Sequence, residues 1–339
     1  MLWAALGTLL VVVGALVVGA FVVWHRVGAW RGGREVCGRG RVVVVTGCDS
    51  GIGFTLALHA QSRWGVSVIG TVMDPEGKGP LLLKKAGVVV VQVDVTRRDT
   101  FHNLTTAINN IHHNTGQELW CLVNNAGVMT LGQCEWQTEG QTEAQMGVNL
   151  GGSIHITRTL LPILRRNKGR IVMVSSPVAQ VSTPNLTVYS ATKAGLEGFC
   201  HALRRELTPF GTSVVIVRPC NLPGRTSILR QSGEQLDAML KEAREETLQD
   251  FSKDITQMRQ HLQEAFGGVE GVTDLKEHTL LLQCFRSAIL SERPLATYSA
   301  APWPVTFTLD LLQCLPNLWV DFLVAQNAYN WILSFAANK

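Results

Sequence analysis

Short apolar segments alternate with helical stretches along most of this 339-residue chain, and this alternation constrains the fold more than any other feature. The segments are rich in β-branched residues and continuously apolar, which is typical of strands buried on both faces of a parallel sheet. We predict six such strands, at residues 41–46, 66–73, 88–93, 120–123, 170–175 and 213–218. Repeated strand–helix units with short links predict an α/β fold built on a doubly wound parallel sheet.

The first strand runs into a glycine-rich turn, residues 46–53, and then into a helical pattern. Glycines permit a tight turn and the close approach of a pyrophosphate, while the helix N-terminus offers unpaired N–H groups. The spacing is Gly-x-x-x-Gly-x-Gly, one residue longer between the first two glycines than in the most common dinucleotide fingerprint. The turn therefore predicts a dinucleotide site in a Rossmann-type sheet. In such a sheet, ligands bind at the carboxyl ends of the strands. Residues at those ends are Gly47, Asn124, Ser176 and Pro219.

Tyr189 and Lys193 lie four residues apart in a stretch that we predict to be helical, so they share one face. A free phenol titrates near pH ~10, and a nearby ammonium group favours the phenolate. We therefore expect Lys193 to lower the pKa of Tyr189, which makes the tyrosine a proton acceptor usable near neutral pH. The same spacing also fits an ordinary helix pair, so the motifs that precede it decide between the two interpretations.

Four motifs occur in order: the glycine turn, Asn124-Asn125-Ala126-Gly127, Ser176 and Tyr189-x-x-x-Lys193. With them, residues 40–300 resemble the short-chain dehydrogenase/reductase family. The sequence of the turn, Thr46-Gly47-Cys48-Asp49-Ser50-Gly51, resembles the membrane-bound hydroxysteroid and retinol dehydrogenase branch, as do the apolar first segment and the aromatic tail. Ketone-body hydroxybutyrate dehydrogenase is similar too.

This resemblance implies a role for each matching residue. Tyr189 is the implied general acid/base, Ser176 holds the substrate oxygen, and Lys193 lowers the pKa of Tyr189 and binds the nicotinamide ribose. Asn149 is implied to hold a water in the proton relay. The implied cofactor-binding residues are Gly47, Ser50, Gly51, Ile52 and Gly53 at the pyrophosphate, Asp94 near adenine, Asn124 beside the adenosine ribose, and Pro219 at the end of the sixth strand.

The choice of cofactor depends on the end of the second strand. Asp74 ends that strand, where it would bind a ribose hydroxyl and repel a 2′-phosphate. We therefore expect NAD rather than NADP, and NAD would favour oxidation of an alcohol. Lys78 lies close enough to weaken this argument, and Asp74 could also be a plain turn residue before Pro75.

The sequence departs from the family pattern in two places. Cys220 follows Pro219 where the family usually has glycine, so its β-carbon would narrow the approach to the cofactor. Thr226 also lies further along the chain than the threonine that usually contacts the nicotinamide carboxamide. The second departure is Pro177, directly after Ser176, which restricts Ser176 to extended backbone geometry and either aims its hydroxyl or has no effect.

The first segment, residues 2–24, carries no charge and is long enough to span a bilayer as a helix. Basic residues follow it, so we predict a retained anchor with the globular domain on the cytosolic side, in the endoplasmic reticulum or, alternatively, a mitochondrial membrane. A cleaved signal peptide is the competing interpretation. The sequons at Asn103 and Asn185 would matter only in a lumenal protein, and a glycan at Asn185 would crowd Tyr189.

We divide the chain into an anchor at 1–27, a linker at 28–40, a dehydrogenase domain at 41–300 and an apolar tail at 301–339. Residues 224–270 are rich in charge and have a helical pattern. They could form a lid over the substrate or a helical segment exposed to solvent. Prolines interrupt the aromatic tail, which could be a membrane-surface segment, a dimer contact or a cap on the substrate pocket.

The formal net charge of +4 is modest, and no basic stripe interleaves with aromatic residues, so nucleic-acid binding is not expected. The 8 cysteines lack Cys-x-x-Cys spacing, which favours reduced, mostly buried thiols over disulfides or a zinc site. We therefore expect a membrane-anchored, NAD-dependent dehydrogenase of an apolar alcohol such as a steroid or retinoid, able to form a homodimer. The alternatives are a non-catalytic nucleotide-binding scaffold and a dehydrogenase of a short hydroxy acid.

Overall fold

The structure is a computed structural model that describes residues 34–220, 226–266 and 279–324. Its centre is a seven-stranded parallel sheet in the order β3-β2-β1-β4-β5-β6-β7. The strands are β1 Arg41–Val45, β2 Ser67–Val72, β3 Val89–Gln92, β4 Glu118–Asn124, β5 Arg170–Val174, β6 Ser213–Pro219 and β7 Thr297–Ala300. The strand order reverses between β1 and β4, and the predicted Rossmann-type fold is confirmed.

Helices cover both faces of the sheet. They are α1 Gly51–Arg63, α2 Lys78–Lys85, α3 Phe101–Thr115, α4 Glu139–Gln145, α5 Ser153–Arg166, α6 Thr187–Leu207, α7 Ser232–Glu242, α8 Glu245–Asp250, α9 Ser252–Phe266, α10 Thr279–Leu290 and α11 Trp303–Cys314. A π-helical segment, Met146–Gly152, joins α4 to α5. The chain between α4 and α5 is therefore locally wider than a regular α-helix.

Alternate side chains of β1 enter two apolar layers, as the two-residue period of a strand requires. Val43 and Val45 pack with α1 and α10 on one face, whereas Val42 and Val44 pack with α3, α5 and α6 on the other. All four valines are 0% exposed. Burial on both faces explains why the strand is continuously apolar rather than alternating.

The six predicted strands are all present, with ends close to those predicted. The seventh strand, β7, lies at the edge of the sheet beside β6 and was not predicted. Its sequence, Thr-Tyr-Ser-Ala, has only a partly buried pattern and no continuous apolar run. An edge strand needs fewer apolar side chains than a central one, so the sequence carries little signal for it.

The predicted anchor at residues 1–27 lies outside the described residues and stays a prediction. Within the described ranges, no helix is both long enough and apolar enough to cross a bilayer. The described part of the tail is helical, with Pro302 directly before α11 and Pro304 in its first turn. Proline fits the start of a helix because the first N–H groups have no intrahelical partner. Trp303 and Trp319 in this tail are 77% and 60% exposed.

Candidate active site

A cavity of about 730 Å³ opens along the carboxyl edge of the sheet. The glycine turn after β1, the loops after β4 and β5, and the start of α6 contribute to its wall. Most residues predicted for the site line it: Gly47, Ser50, Gly51, Ile52, Asp94, Ser176, Tyr189, Lys193 and Pro219. The predicted residues that do not line it are Gly53, Asp74, Asn124 and Asn149.

Tyr189 and Lys193 lie one turn apart on the buried face of α6, 7% and 4% exposed. A hydrogen bond links the side chains of Tyr189 and Ser176. The Nζ atom of Lys193 lies 5.6 Å from the centre of the tyrosine ring and donates to the carbonyl oxygen of Val174 at 2.9 Å. Two hydroxyls and an ammonium group therefore meet on one side of the cavity.

The direction of the Tyr189 pKa shift differs from the sequence-based expectation. Burial raises the pKa of the Tyr189 phenol to about 12, and the hydrogen bond from Ser176 only partly opposes this shift. Burial also lowers the pKa of the Lys193 ammonium to about 8, against the opposing effect of the Glu197 carboxylate. The prediction of a lowered pKa for Tyr189 was wrong for this structure, because desolvation of the phenolate outweighs the hydrogen bond from Ser176.

Ser176 has φ −156° and ψ 156°, an extended conformation, as predicted from the proline that follows it. Pro177 begins a short 3₁₀ helix, Pro177–Ala179, and the Ser176 Oγ accepts from the backbone N–H of Val178 at 3.4 Å. The proline thus holds the serine backbone in the orientation from which its side chain reaches Tyr189.

Asn149 is 0% exposed and lies in the π-helical segment. Its Oδ1 accepts from the N–H of Val128 at 2.8 Å, and its Nδ2 donates to the carbonyl oxygen of Val128 at 2.9 Å and to Thr192 Oγ1 at 3.1 Å. Thr192 in turn donates to the carbonyl oxygen of Tyr189 at 2.7 Å. Asn149 therefore braces the loop after β4 against α6, and its role in holding a water stays a prediction.

The glycine turn has the geometry that a pyrophosphate cradle needs. Gly47 and Gly51 have φ values of +68° and +59°, which favour glycine. A β-carbon on Gly53 would lie 2.2 Å from the carbonyl oxygen of Gly47. The first turn of α1 has no acidic side chain, so the positive end of its dipole is available to an anion. These features fit a nicotinamide dinucleotide.

Asn125, rather than Asn124, holds the glycine turn against β4. Its Nδ2 donates to the carbonyl oxygens of Thr46 and Gly47 at 2.8 and 3.1 Å, and Asn125 lines the cavity. Asn124 is 2% exposed and donates to Thr157 Oγ1 at 2.9 Å, away from the cavity wall. The sequence motif contained Asn125, but only the packing of β1 beside β4 reveals its contacts.

The acidic residue at the end of β2 that lines the cavity is Asp49, not Asp74. The Oδ1 of Asp49 accepts from the backbone N–H groups of Met73 and Asp74 at 2.9 and 3.2 Å. Asp74 is exposed, and its own carboxylate accepts from the N–H of Glu76 at 3.0 Å within the turn. Sequence reasoning missed Asp49 because it belongs to the glycine turn, 25 residues before Asp74 in the chain.

A buried ion pair, not predicted from the sequence, lies beside the site. Glu197 of α6 and Arg218 of β6 are each 9% exposed and form two hydrogen bonds of 2.7 and 2.6 Å. Ser175, directly before Ser176, donates to Glu197 Oε1 at 2.6 Å. Because Glu197 lies one turn after Lys193, this ion pair joins the ends of β5 and β6 to the helix that carries Tyr189 and Lys193.

Of the two residues after β6 that depart from the family pattern, Thr226 lines the cavity and Cys220 does not. Cys220 is buried and does not line the cavity, so its β-carbon is not part of the wall. Thr226 does line it, and its Cβ lies 3.4 Å from where a β-carbon on Gly51 would stand. The structure thus brings Thr226 to the glycine turn despite its later position in the chain.

The wall away from the glycine turn is largely apolar. Helices α7 and α9, from the segment predicted to be a lid, pack here with the loops after β4 and β5. The apolar wall residues include Met129, Leu131, Val178, Leu186, Leu229, Met258 and Leu262. Lys193 is the one Lys or Arg among the described residues that line the cavity. Such a wall suits an apolar, uncharged ligand.

Comparison with known proteins agrees with this geometry. The profile of the short chain dehydrogenase family matches residues 41–237 of the chain. This match covers more than half of the sequence and includes the turn, the strand-end asparagines, the serine and the Tyr–Lys pair. The chain belongs to the short-chain dehydrogenase/reductase family.

Within that family, its relatives indicate the hydroxysteroid and retinol dehydrogenase branch. 17-beta-hydroxysteroid dehydrogenase type 6 of Homo sapiens is 30% identical over 317 residues, covering 92% of this chain and 97% of that protein. Retinol dehydrogenase 7 of Rattus norvegicus is 30% identical over 291 residues, covering 84% and 87%. Mitochondrial D-beta-hydroxybutyrate dehydrogenase of Mus musculus is 34% identical over 206 residues, or 60% of each chain. The chain thus matches less than two thirds of that protein's length.

Among solved structures, an angucycline C-6 ketoreductase with bound NADP is similar in fold. Its TM-score is 0.50 at 26% sequence identity, covering 55% of this chain and 75% of that chain.

Proposed function

We propose that this protein is a nicotinamide-dependent oxidoreductase that interconverts an apolar alcohol and the corresponding carbonyl compound. The observation that carries the proposal is the hydrogen bond between Ser176 and Tyr189 inside the apolar cavity, with Lys193 beside the tyrosine ring. Two adjacent hydroxyls can both hydrogen-bond to one substrate oxygen, which fixes the reacting carbon.

In this proposal Tyr189 exchanges a proton with the substrate oxygen while Ser176 holds that oxygen. With a pKa of about 12, the phenol is protonated at neutral pH and ready to donate to a carbonyl oxygen. In the direction of alcohol oxidation, Tyr189 must first lose its proton, and the nearby Lys193 ammonium stabilises the phenolate. The bound nicotinamide cofactor would donate or accept the hydride.

NAD is the proposed cofactor. Asp49 lies at the end of β2, where its negative charge would oppose a 2′-phosphate. Lys193 at the reacting end is the one Lys or Arg on the described wall, so a 2′-phosphate would lack a cationic partner there. The preference for NAD over NADP therefore depends on Asp49, and not on Asp74 as predicted from the sequence.

A steroid or retinoid alcohol is the proposed substrate class. The apolar wall offers hydrophobic contact to a large hydrocarbon skeleton. A short hydroxy acid, favoured by the similarity to the hydroxybutyrate dehydrogenase, would bring a carboxylate into the cavity. Lys193 would be the one Lys or Arg available to that carboxylate on the described wall, so the apolar alcohol is the better match.

We also propose that the protein works at a membrane, anchored through residues 1–27. The exposed apolar side chains of the tail support this proposal, because Trp303, Phe307 and Trp319 are 77%, 38% and 60% exposed. Aromatic side chains of this kind are favoured at membrane–water interfaces. Gln180, just beyond Ser176, donates to Asp310 at 3.2 Å, so α11 lies near the cavity through which a lipid-soluble substrate would enter.

The test is a screen of purified full-length protein in detergent against steroid, retinoid and short hydroxy-acid alcohols. Formation of NADH and of NADPH is followed separately by absorbance. We expect turnover of an apolar alcohol with NAD. Tight nucleotide binding without turnover of any substrate in either direction would instead support the non-catalytic scaffold.

A further inference from the structure

Two side chains in the apolar part of the cavity carry polar atoms that the protein does not satisfy. Thr183 and Asn185 line the cavity and are 5% and 6% exposed. The Oγ1 of Thr183 and the Oδ1 of Asn185 are buried and have no hydrogen-bond partner among the described residues. Burying a polar atom without a partner costs free energy, so such atoms on a cavity wall indicate a ligand that supplies the partner.

Gln235 of α7 is a third residue of the same kind. It lines the cavity, and its buried Oε1 also lacks a hydrogen-bond partner within the described ranges. Its backbone carbonyl oxygen accepts from Gln141 Nε2 at 2.9 Å, which fixes this turn of α7 against α4. The side-chain amide is therefore held at the cavity by a braced helix.

Backbone contacts bring Asn185 and Gln235 into one region of the wall. The carbonyl oxygen of Asn185 accepts from the N–H of Gly132 at 3.0 Å. Gly132 lies against Met239, since a β-carbon there would stand 2.8 Å from the methionine sulfur. Met239 is one helical turn after Gln235 on α7. Two amides and a hydroxyl thus face the cavity, whose other polar lining side chains near α7 and α9 are Gln231 and His261.

The backbone at Asn185 is also specialised. Its φ is +66°, a left-handed conformation that only glycine and, less readily, asparagine adopt at low cost. Asn185 is the first residue of an Asn-x-Thr sequon, but its burial makes it inaccessible to a glycan in the folded chain. Asparagine thus suits this backbone conformation, and its buried side chain faces the cavity.

We infer that Thr183, Asn185 and Gln235 form a polar subsite for a second oxygen of the substrate, separate from the oxygen held by Ser176 and Tyr189. The substrate is then a rigid apolar alcohol or ketone that carries a further hydroxyl or keto group, as hydroxysteroids do. Retinol has a single oxygen, which would be the reacting one, and would leave these groups without partners. This inference rests on the proposed function and narrows its substrate class.

The test compares a 3,17-dihydroxysteroid with its monohydroxy analogue that keeps only the reacting oxygen. We expect kcat/KM for the dihydroxysteroid to be higher by about tenfold or more, since a site built for hydrogen bonding discriminates against an analogue that cannot form them. Gln235→Leu and Asn185→Gly should each reduce this preference to about threefold or less. Glycine keeps the positive φ at 185 accessible, so the second variant retains the backbone conformation.

Gln249→Leu is the matched control, because it makes the same substitution at an exposed helical position outside the cavity and should keep the full preference. Quenching of tryptophan fluorescence measures binding of the two steroids without turnover. Equal binding and equal kcat/KM in the unaltered protein would overturn the polar subsite while leaving the proposed function intact. A binding preference without turnover of either steroid would support the subsite and contradict the proposed function.

Discussion

The buried Glu197–Arg218 pair makes a quantitative prediction about stability. Each side chain is 9% exposed, and Arg218 donates two short hydrogen bonds to the carboxylate. Removing one partner leaves the other charge buried without compensation, which costs about 3–5 kcal/mol of folding free energy. We therefore expect Glu197→Leu and Arg218→Met each to lower the free energy of unfolding by about that amount.

The double variant Glu197→Leu/Arg218→Met should be less destabilised than either single variant, by about 1.5–3 kcal/mol, because no uncompensated charge remains and only the hydrogen bond from Ser175 is lost. Ser175→Ala, which removes a third hydrogen bond to the carboxylate, should cost about 1.5–3 kcal/mol. The assay is equilibrium unfolding in urea followed by tryptophan fluorescence, with the slope checked for constancy between variants. Additive costs in the double variant would refute the assigned ion pair.

A matched exposed pair provides the control. Arg259 and Asp237 form a 2.8 Å contact with side chains 49% and 64% exposed. Exposed ion pairs contribute at most about 1 kcal/mol, so Asp237→Asn should have little effect. A similar loss of stability at the buried and exposed pairs would show that burial is not the cause of the large cost.

Three further predictions concern the cofactor turn, pH and the membrane. Gly53→Ala should weaken NADH binding, measured by fluorescence titration, by at least about tenfold, because the new β-carbon would stand 2.2 Å from a carbonyl oxygen of the turn. The control Gly198→Ala, at a position with open space, should leave NADH binding unchanged. Equal NADH affinities of the two variants would contradict the role assigned to Gly53. Burial raises the pKa of Tyr189 to about 12, so the rate of alcohol oxidation should rise between about pH 6 and pH 9, whereas the rate of carbonyl reduction should not. Parallel steady-state pH profiles for the two directions would contradict proton transfer by Tyr189. Deleting residues 1–27 should move the protein from the membrane pellet to the supernatant after ultracentrifugation, whereas a soluble full-length chain would rule out the anchor.

The sequence was sufficient to predict the central sheet and most of the cavity wall, for physical reasons. Strands such as β1 are buried on both faces, so they leave a continuously apolar run that cannot be mistaken for an amphipathic helix or a loop. Local backbone geometry requires the glycines of the turn, as at Gly53, and a local requirement of this kind can be predicted from the sequence. The Tyr189–Lys193 pair was predictable because both residues lie on one helix.

What the sequence did not reveal depends on contacts between distant segments. Glu197 and Arg218 are 21 residues apart and lie on different elements, so nothing local pairs them. The Tyr189 pKa is raised because the side chain is buried, and the spacing of residues in the sequence does not show that burial. Asp49 lines the cavity because its carboxylate accepts backbone N–H groups at the end of β2. The position of the Asn185 amide on the cavity wall likewise depends on how the loops pack.

The most direct test of the account is Tyr189→Phe. The phenylalanine keeps the buried ring of α6 but removes the hydroxyl that hydrogen-bonds to Ser176. Turnover of the best alcohol found in the substrate screen should fall by about 10²–10⁴-fold, while NADH affinity measured by fluorescence titration should stay within about twofold. Unchanged turnover in the variant would contradict proton transfer by Tyr189 and with it the central claim.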